Sequence, residues 1–216
     1  MGYNFFVHEE ISRAVSLAAE AAGLLWEKGW AEASAGNLSV DLSGTGPERI
    51  LITATGARMR DIARDPSWGL GVIEIPREGE SYRVIWPEGE PFHPTSDLAV
   101  HLELHRAFPG ISVLHAHPAE LIAIARCLAD ESALDDALCS AHIEFPVFLP
   151  RGVGLVSGAH GSSDLAIATA RAFANHDIVV WERHGAVAMA PDLISAFDLI
   201  DIANKAAEIY LLGRNQ

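Results

Sequence analysis

The sequence predicts an α/β fold in which a largely antiparallel sheet is covered by helices on both faces, an αβα sandwich. Three observations predict it. Short apolar runs alternate or cluster as strands do, as in Leu38–Leu42 and Leu70–Ile75. Longer stretches carry apolar residues at helical spacing, as in Ile11 to Lys28. The two kinds of run do not alternate strictly: strands outnumber helices and several are joined by short turns, which argues against a pure βαβ ladder.

Taken in order, Ala14, Val15, Ala18, Ala21, Ala22 and Leu25 make one helix face over Ile11–Lys28. Gly36 and Asn37 form a turn into the strand Leu38–Leu42. The polar stretch Ser43–Glu48 reads as a loop before the buried strand Arg49–Thr53, which ends at Ala54-Thr55-Gly56. LGVIEI (70–75) and YRVIW (82–86) pair across a charged turn near Glu78–Ser81, and Pro87–Pro94 is a loop. A hydroxyl of Thr95 or Ser96 is expected to cap a helix from Asp97 to Ala107 by accepting from a first-turn amide. Ile111–His117 is a strand, Ala119–Ala129 a helix, and Glu144–Leu149 a further strand before the turn Pro150-Arg151-Gly152. Ser162 or Ser163 caps a helix to Ala174. Asp177–Glu182 and Ala186–Met189 are strands around Gly185, and Ile194–Leu212 closes the chain as a helix.

The 216 residues suit one domain spanning 1–216, and 50% hydrophobic with 20% charged residues is ordinary globular composition. No apolar run reaches membrane-spanning length, and the start MGYNFFVHEE does not read as a signal peptide. A net charge of −14 repels nucleic acid and anionic lipid, so a phosphorylated ligand would need capture by local groups against the global field. The two cysteines, Cys127 and Cys139, make neither a disulfide framework nor a CxxC pair, and a cytoplasmic location is expected.

The informative segment is Val113-Leu114-His115-Ala116-His117. Residues two apart in a strand share a face, about 6.5–7 Å apart at Cα. His115 and His117 can therefore converge on one metal ion at the end of the strand, where Pro118 stops it. Such a pair is also a common polar surface feature, so a third ligand has to come from elsewhere. His184, where Val179–Arg183 runs into Gly185, is the best candidate. Three neutral imidazoles with an open position suit a catalytic zinc. His101 and His105, four apart on a helix, also share a face, but read as a partly solvated one. His8, His93, His142, His160 and His176 carry no local pattern and read as structural or exposed.

The stations KGW (28–30), GNLSV (36–40), ITATG (52–56), PTSD (94–97), LHAHP (114–118), FPVFLPRGVG (145–154), VVWERHG (179–185) and FDLIDIANKAAE (197–208) occur in this order. Together they identify a resemblance to the class II aldolase and adducin-head family of sugar-phosphate aldolases, running from about Leu25 to Leu212. VVWERHG and FDLIDIA resemble its rhamnulose branch most. The resemblance implies an αβα fold, a homotetramer with active sites at subunit interfaces, and retro-aldol cleavage of a ketose 1-phosphate. It implies His115, His117 and His184 as ligands of Zn²⁺, with Co²⁺, Mn²⁺ and Fe²⁺ also suited to imidazole. Gly36 and Asn37 match a phosphate-binding turn, with Ser34 beside it; Thr55, next to Gly56, matches a hydroxyl on the same phosphate. Thr95 and Ser96 match further substrate contacts, and Asp97 falls at the acid/base carboxylate. Glu144 matches a second carboxylate supplied by a neighbouring subunit.

Two positions depart from the rhamnulose branch. Asp97 stands where glutamate is usual, as in the pentulose-phosphate 4-epimerase branch, and Ser34 stands where asparagine is usual. Read singly, Asp97 is a first-turn aspartate favourable to a helix dipole, Thr95-Ser96 a cap, and Glu144 an ordinary strand residue. Their joint placement with the histidines raises them above that. A non-catalytic adducin-like assembly module would be expected to have lost the metal ligands.

Overall fold

A computed structural model describes residues 2–42, 48–75, 82–87, 91–128 and 130–214. Among the described residues eight strands form one sheet: β1 (Asn37–Asp41), β2 (Glu48–Thr53), β3 (Leu70–Ile75), β4 (Arg83–Trp86), β5 (Ser112–Ala116), β6 (Val153–Val156), β7 (Ile178–Trp181) and β8 (Gly185–Ala190). Their order is β4-β3-β2-β1-β5-β8-β7-β6, and every neighbouring pair is antiparallel except β6–β7. Eight α-helices accompany them among the described residues: α1 (Gly2–Glu27), α2 (Met59–Ile62), α3 (Leu98–Ala107), α4 (Ala119–Cys127), α5 (Glu131–Ala141), α6 (Phe145–Phe148), α7 (Ser163–Phe173) and α8 (Leu193–Gly213). Helices thus match strands in number, against the expectation that strands outnumber them. The expected turn at 78–81, most of the loop at 43–48 and residues 88–90 of the loop at 87–94 lie outside the described residues.

Strand alternation sorts the core into two faces. Leu38, Leu51, Leu114, Ile178, Val180, Ala186 and Ala188 face a layer built from α1, α2, α4, α5 and α8. Val113, Val179, Trp181 and Val187 face the opposite layer, with Val100 and Leu104 of α3 and Leu165, Ala166 and Phe173 of α7. These are the three layers the sequence predicts. Period two also means that Asn37, Ser39 and His115 stand on the α3 side, between residues buried on the other. No helix among the described residues is long and apolar enough to cross a membrane.

Three expectations need correction. Glu144–Leu149 is not a strand: Phe145–Phe148 is a single helical turn with Pro146 in its first positions. A short apolar run has strand composition whichever way it folds, and proline at a helix start is the feature that decides here. The strand of this region is β6, just after Gly152. Helix α5 was not anticipated, although Asp130 caps it, its carboxylate accepting from the Ala133 amide at 2.9 Å. Finally, neither Thr95 nor Ser96 caps α3. Thr95 Oγ1 accepts from the Asp97 amide at 3.3 Å, Ser96 Oγ pairs with His160, and the capping position is Asp97, whose side chain is turned away from the helix amides. Ser162 does cap α7, accepting from the Leu165 amide at 3.1 Å.

Candidate metal centre and active site

Ligand atoms of His115, His117 and His184 all lie within 4.8 Å of one another. His115 sits on β5, His117 just past its end, and His184 in the turn between β7 and β8. The Nε2 atoms of His115 and His117 are 3.2 Å apart. Metal–nitrogen bonds of about 2.0–2.1 Å at tetrahedral angles place two ligand nitrogens roughly 3.3–3.4 Å apart, so this spacing fits a shared cation. The far nitrogens agree. His115 Nδ1 faces the Ala186 carbonyl at 3.1 Å and His117 Nδ1 faces Glu32 Oε1 at 2.9 Å, so each Nδ1 is the N–H donor and each Nε2 keeps a lone pair. Two lone pairs turned toward each other need a positive centre between them. Burial, and then the neighbouring His117 and His184, holds His115 well below its ordinary range, in the neutral form a ligand requires.

The local chain explains the convergence. Arg183 takes a left-handed backbone (φ 59°), which tightens the Trp181–Gly185 turn so that the His184 amide donates to the Trp181 carbonyl at 3.0 Å. Such a conformation costs a non-glycine residue about 1–2 kcal/mol and is held by its surroundings. Gly185 is required by close approach: a Cβ there would stand 2.4 Å from the Ala116 carbonyl oxygen, 2.7 Å from His115 Cε1 and 2.8 Å from His117 Cδ2. Trp181 backs the site. Its ring centroid lies 4.6 Å from that of His115 and 5.1 Å from that of His184, and its indole N–H donates to Thr169 Oγ1 at 2.9 Å.

Asp97 is buried beside the triad (1% exposed). Its Oδ2 accepts from the Asn37 amide nitrogen at 2.8 Å, and its Oδ1 lies 3.1 Å from His160 Nδ1. The His160 ring in turn stands edge-on to His184, 4.9 Å between centroids. His160, read from the sequence as structural or exposed, is exposed and yet reaches Asp97, and Glu32 is not singled out by the sequence. Neither carries a local motif, since one lies in a Gly-Ser loop and the other in a turn.

The expected substrate-binding residues collect at the same end of the sheet. Asn37 is in register with His115, Thr95 donates its amide to Thr53, and Thr55 donates its amide to His93, which stitches the segments at 36–37, 53–56 and 93–97 together. Gly36 has φ 75°, and a Cβ there would meet the His115 carbonyl oxygen at 3.1 Å. Ser34 is in an exposed turn, and Gly56 is exposed with φ 76°. Two side chains are already engaged: the Thr55 hydroxyl donates to the Pro94 carbonyl at 2.6 Å, and the Asn37 amide is used at both ends. Glu144 is not brought together with them. It is exposed at the start of α6, which packs on α5 and α8 in the other layer.

The histidines of α3 are not a partly solvated face. His101 (1% exposed) and His105 (9%) are buried, and Ser39 Oγ lies 2.7 Å from a nitrogen of each. Two strand residues span roughly the same distance as four helix residues, about 6–7 Å, so Asn37 and Ser39 of β1 meet His101 and His105 rung by rung. Burial holds His101 down to about 3 and His105 to about 4. The unfolded chain takes up these protons below about pH 6.5 and the folded one does not, so stability present at neutral pH is lost as the pH falls toward about 4. A loss of ~2 kcal/mol per histidine by about pH 5 is expected, read as a lower urea midpoint than at about pH 7.5. An unchanged midpoint would refute the buried neutral state.

Fold and site together describe a divalent-metal enzyme. Residues 16–211 match the model of the class II aldolase and adducin N-terminal domain family. The chain belongs to that family. A rhamnulose-1-phosphate aldolase of Bacteroides thetaiotaomicron is 34% identical, over 95% of this chain and 87% of its own length. One of Mannheimia succiniciproducens is 29% identical, over 86% and 80%. Among solved structures, a sugar-phosphate aldolase from Thermotoga maritima superposes with a TM-score of 0.83 at 30% identity, covering 93% of this chain and 94% of that one. An L-fuculose-1-phosphate aldolase from Thermus thermophilus shares the fold, with a TM-score of 0.71 at 24% identity over 94% and 95%.

Proposed function

We propose that this chain is a class II aldolase that cleaves L-rhamnulose 1-phosphate, or a closely related ketose 1-phosphate, to dihydroxyacetone phosphate and L-lactaldehyde. The carrying observation is the convergence of His115, His117 and His184 next to a buried carboxylate, Asp97, in a chain 34% identical to a rhamnulose-1-phosphate aldolase. His115, His117 and His184 hold the divalent cation, with zinc the best match to three neutral imidazoles. When bound, it supplies Lewis-acid stabilisation of the negative charge that cleavage places on the substrate's carbonyl oxygen.

The chain's own groups do the rest. Glu32 and the Ala186 carbonyl fix the tautomers of His117 and His115. Asp97, buried beside the three histidines, carries the proton for the carbon left behind when the C3–C4 bond breaks. The turns at Ser34, Gly36-Asn37 and Thr55-Gly56, with Thr95-Ser96, frame the phosphate, which the acidic surface would otherwise repel; Thr55, whose amide and hydroxyl already donate to His93 and Pro94, holds the frame, and the Ser34 and Ser96 hydroxyls contact the phosphate. Glu144 faces outward and serves the aldehyde side of a neighbouring subunit's site in a homotetramer. The exposed Ile143, Val147 and Phe148 around it suit a subunit contact.

The test is direct. Purified, metal-loaded protein mixed with L-rhamnulose 1-phosphate is expected to release dihydroxyacetone phosphate, followed with a coupled reductase. Aspartate at 97 favours one second reading, a pentulose-phosphate 4-epimerase. C4 inversion of L-ribulose 5-phosphate, without cleavage of the first substrate, would establish it instead. A non-catalytic adducin-like module requires a chain that binds well under about half a metal ion and cleaves neither sugar.

A further inference from the structure

We propose that His101 and His105, through Ser39 and Asn37, form a one-way hydrogen-bond chain that locks the Asp97 carboxylate and leaves Oδ1, on the His160 side, as its proton-carrying oxygen. This deepens the aldolase reading and rests on Asp97 as the proton carrier.

The chain is continuous and buried. Asp97 Oδ2 lies 2.8 Å from Asn37 Nδ2, Asn37 Oδ1 lies 2.6 Å from His101 Nε2, and Ser39 Oγ lies 2.7 Å from both His101 Nδ1 and His105 Nε2. Exposure is 6% for Asn37, 0% for Ser39, 1% for Asp97, 1% for His101 and 9% for His105.

Each donor follows from the one before. An ionised carboxylate only accepts, so the Asn37 amide must turn its NH₂ to Asp97 and its oxygen to His101. His101 Nε2 therefore carries a hydrogen. In the neutral ring its Nδ1 then accepts, and the Ser39 hydroxyl donates to it. With its single hydrogen spent, Ser39 accepts from His105, which places that ring's hydrogen on Nε2. His105 Nδ1 is left as a bare lone pair, and it is indeed buried without a hydrogen-bond partner among the described residues. Burial keeps both rings neutral, as the scheme requires.

The reverse direction is costly. For Oδ2 to carry a proton toward Asn37, the amide must turn over, His101 must change tautomer, and Ser39 must rotate. His105 would then hold a buried Nδ1–H with no acceptor, and stranding a buried donor is penalised. Oδ1 has no such tie. It makes no hydrogen bond among the described residues and faces His160 Nδ1 at 3.1 Å, beside His184. Proton uptake and release therefore belong to Oδ1, and the α3 histidines are positioning residues.

Two measurements test this. In full-length, zinc-loaded protein with ¹⁵N-labelled histidine, long-range ¹H–¹⁵N spectra should show His101 and His105 both as the neutral Nε2–H tautomer. A charged ring or an Nδ1–H tautomer at either position would overturn the chain, with no variant needed. Kinetically, His101→Leu is expected to lower kcat by about 10- to 100-fold with KM and metal content little changed, and to slow solvent exchange of the C3 proton of dihydroxyacetone phosphate in parallel. His101→Gln, which restores an N–H toward Asn37, should recover part of both. If Asp97→Asn abolishes cleavage while His101→Leu keeps wild-type kcat and exchange, the inference fails and the aldolase reading stands. If Asp97→Asn itself cleaves normally, the premise fails first.

Discussion

Alanine at position 184 is expected to lower metal content to a small fraction of an ion per chain and to cut kcat/KM by at least about a thousandfold, an effect of roughly 4 kcal/mol. His184 is the informative ligand to remove. It sits half-exposed in the β7–β8 turn, whereas His115 is fully buried between Trp181 and the sheet, so its truncation would confuse a missing ligand with a damaged core. Losing one of three imidazoles leaves two Nε2 lone pairs 3.2 Å apart with no third donor to complete the shell. Elemental analysis gives the ion count, and aldol cleavage gives the rate. Near-native circular dichroism and a thermal midpoint like that of chelator-treated wild type would confirm that the fold survives. Full activity with bound metal would remove His184 from the centre, and the aldolase proposal would have to find another third ligand.

The histidine cluster was legible because its determinants are local. HAH in a strand fixes two side chains on one face, and a histidine before glycine at a strand-to-strand turn can be brought across only if no Cβ intervenes, as at Gly185. The layering was legible too, since Leu38, Leu114 and Val180 alternate with residues of the opposite face. What escaped depended on partners distant in sequence. His101 and His105 make the same stripe on a helix whether it faces water or a strand. Only the register of α3 over Asn37 and Ser39 makes it a buried one. His160 reaches Asp97 across a separation of 63 residues, and Glu32 reaches His117 across 85, so no window of the sequence could pair them. FPVF at 145–148 failed for the opposite reason: its signal is local but ambiguous, since a four-residue apolar run has the same composition in a strand and in a helical turn.

Asparagine at position 97 separates holding from proton transfer. The two side chains have the same shape, and asparagine's carbonyl oxygen can still accept from Asn37 Nδ2, with its NH₂ placed where Oδ1 stood, toward His160. The hydrogen-bond chain through His101, Ser39 and His105 can therefore persist, and the metal ligands are untouched. What disappears is the ability to take up and return a proton. The expected result is native-like metal content and thermal stability, with kcat for cleavage lower by about 10²–10⁴-fold. Exchange of the C3 proton of dihydroxyacetone phosphate with D₂O should slow to the same degree, because it needs the same proton carrier without carbon–carbon chemistry. The paired readout discriminates between carboxylates. Cleavage lost with exchange preserved would move the limiting proton transfer to the aldehyde side, where Glu144 of a neighbouring subunit is the proposed group. Both preserved would mean that Asp97 is buried beside the histidine cluster for structure alone, as an acceptor that orients Asn37 and that asparagine replaces.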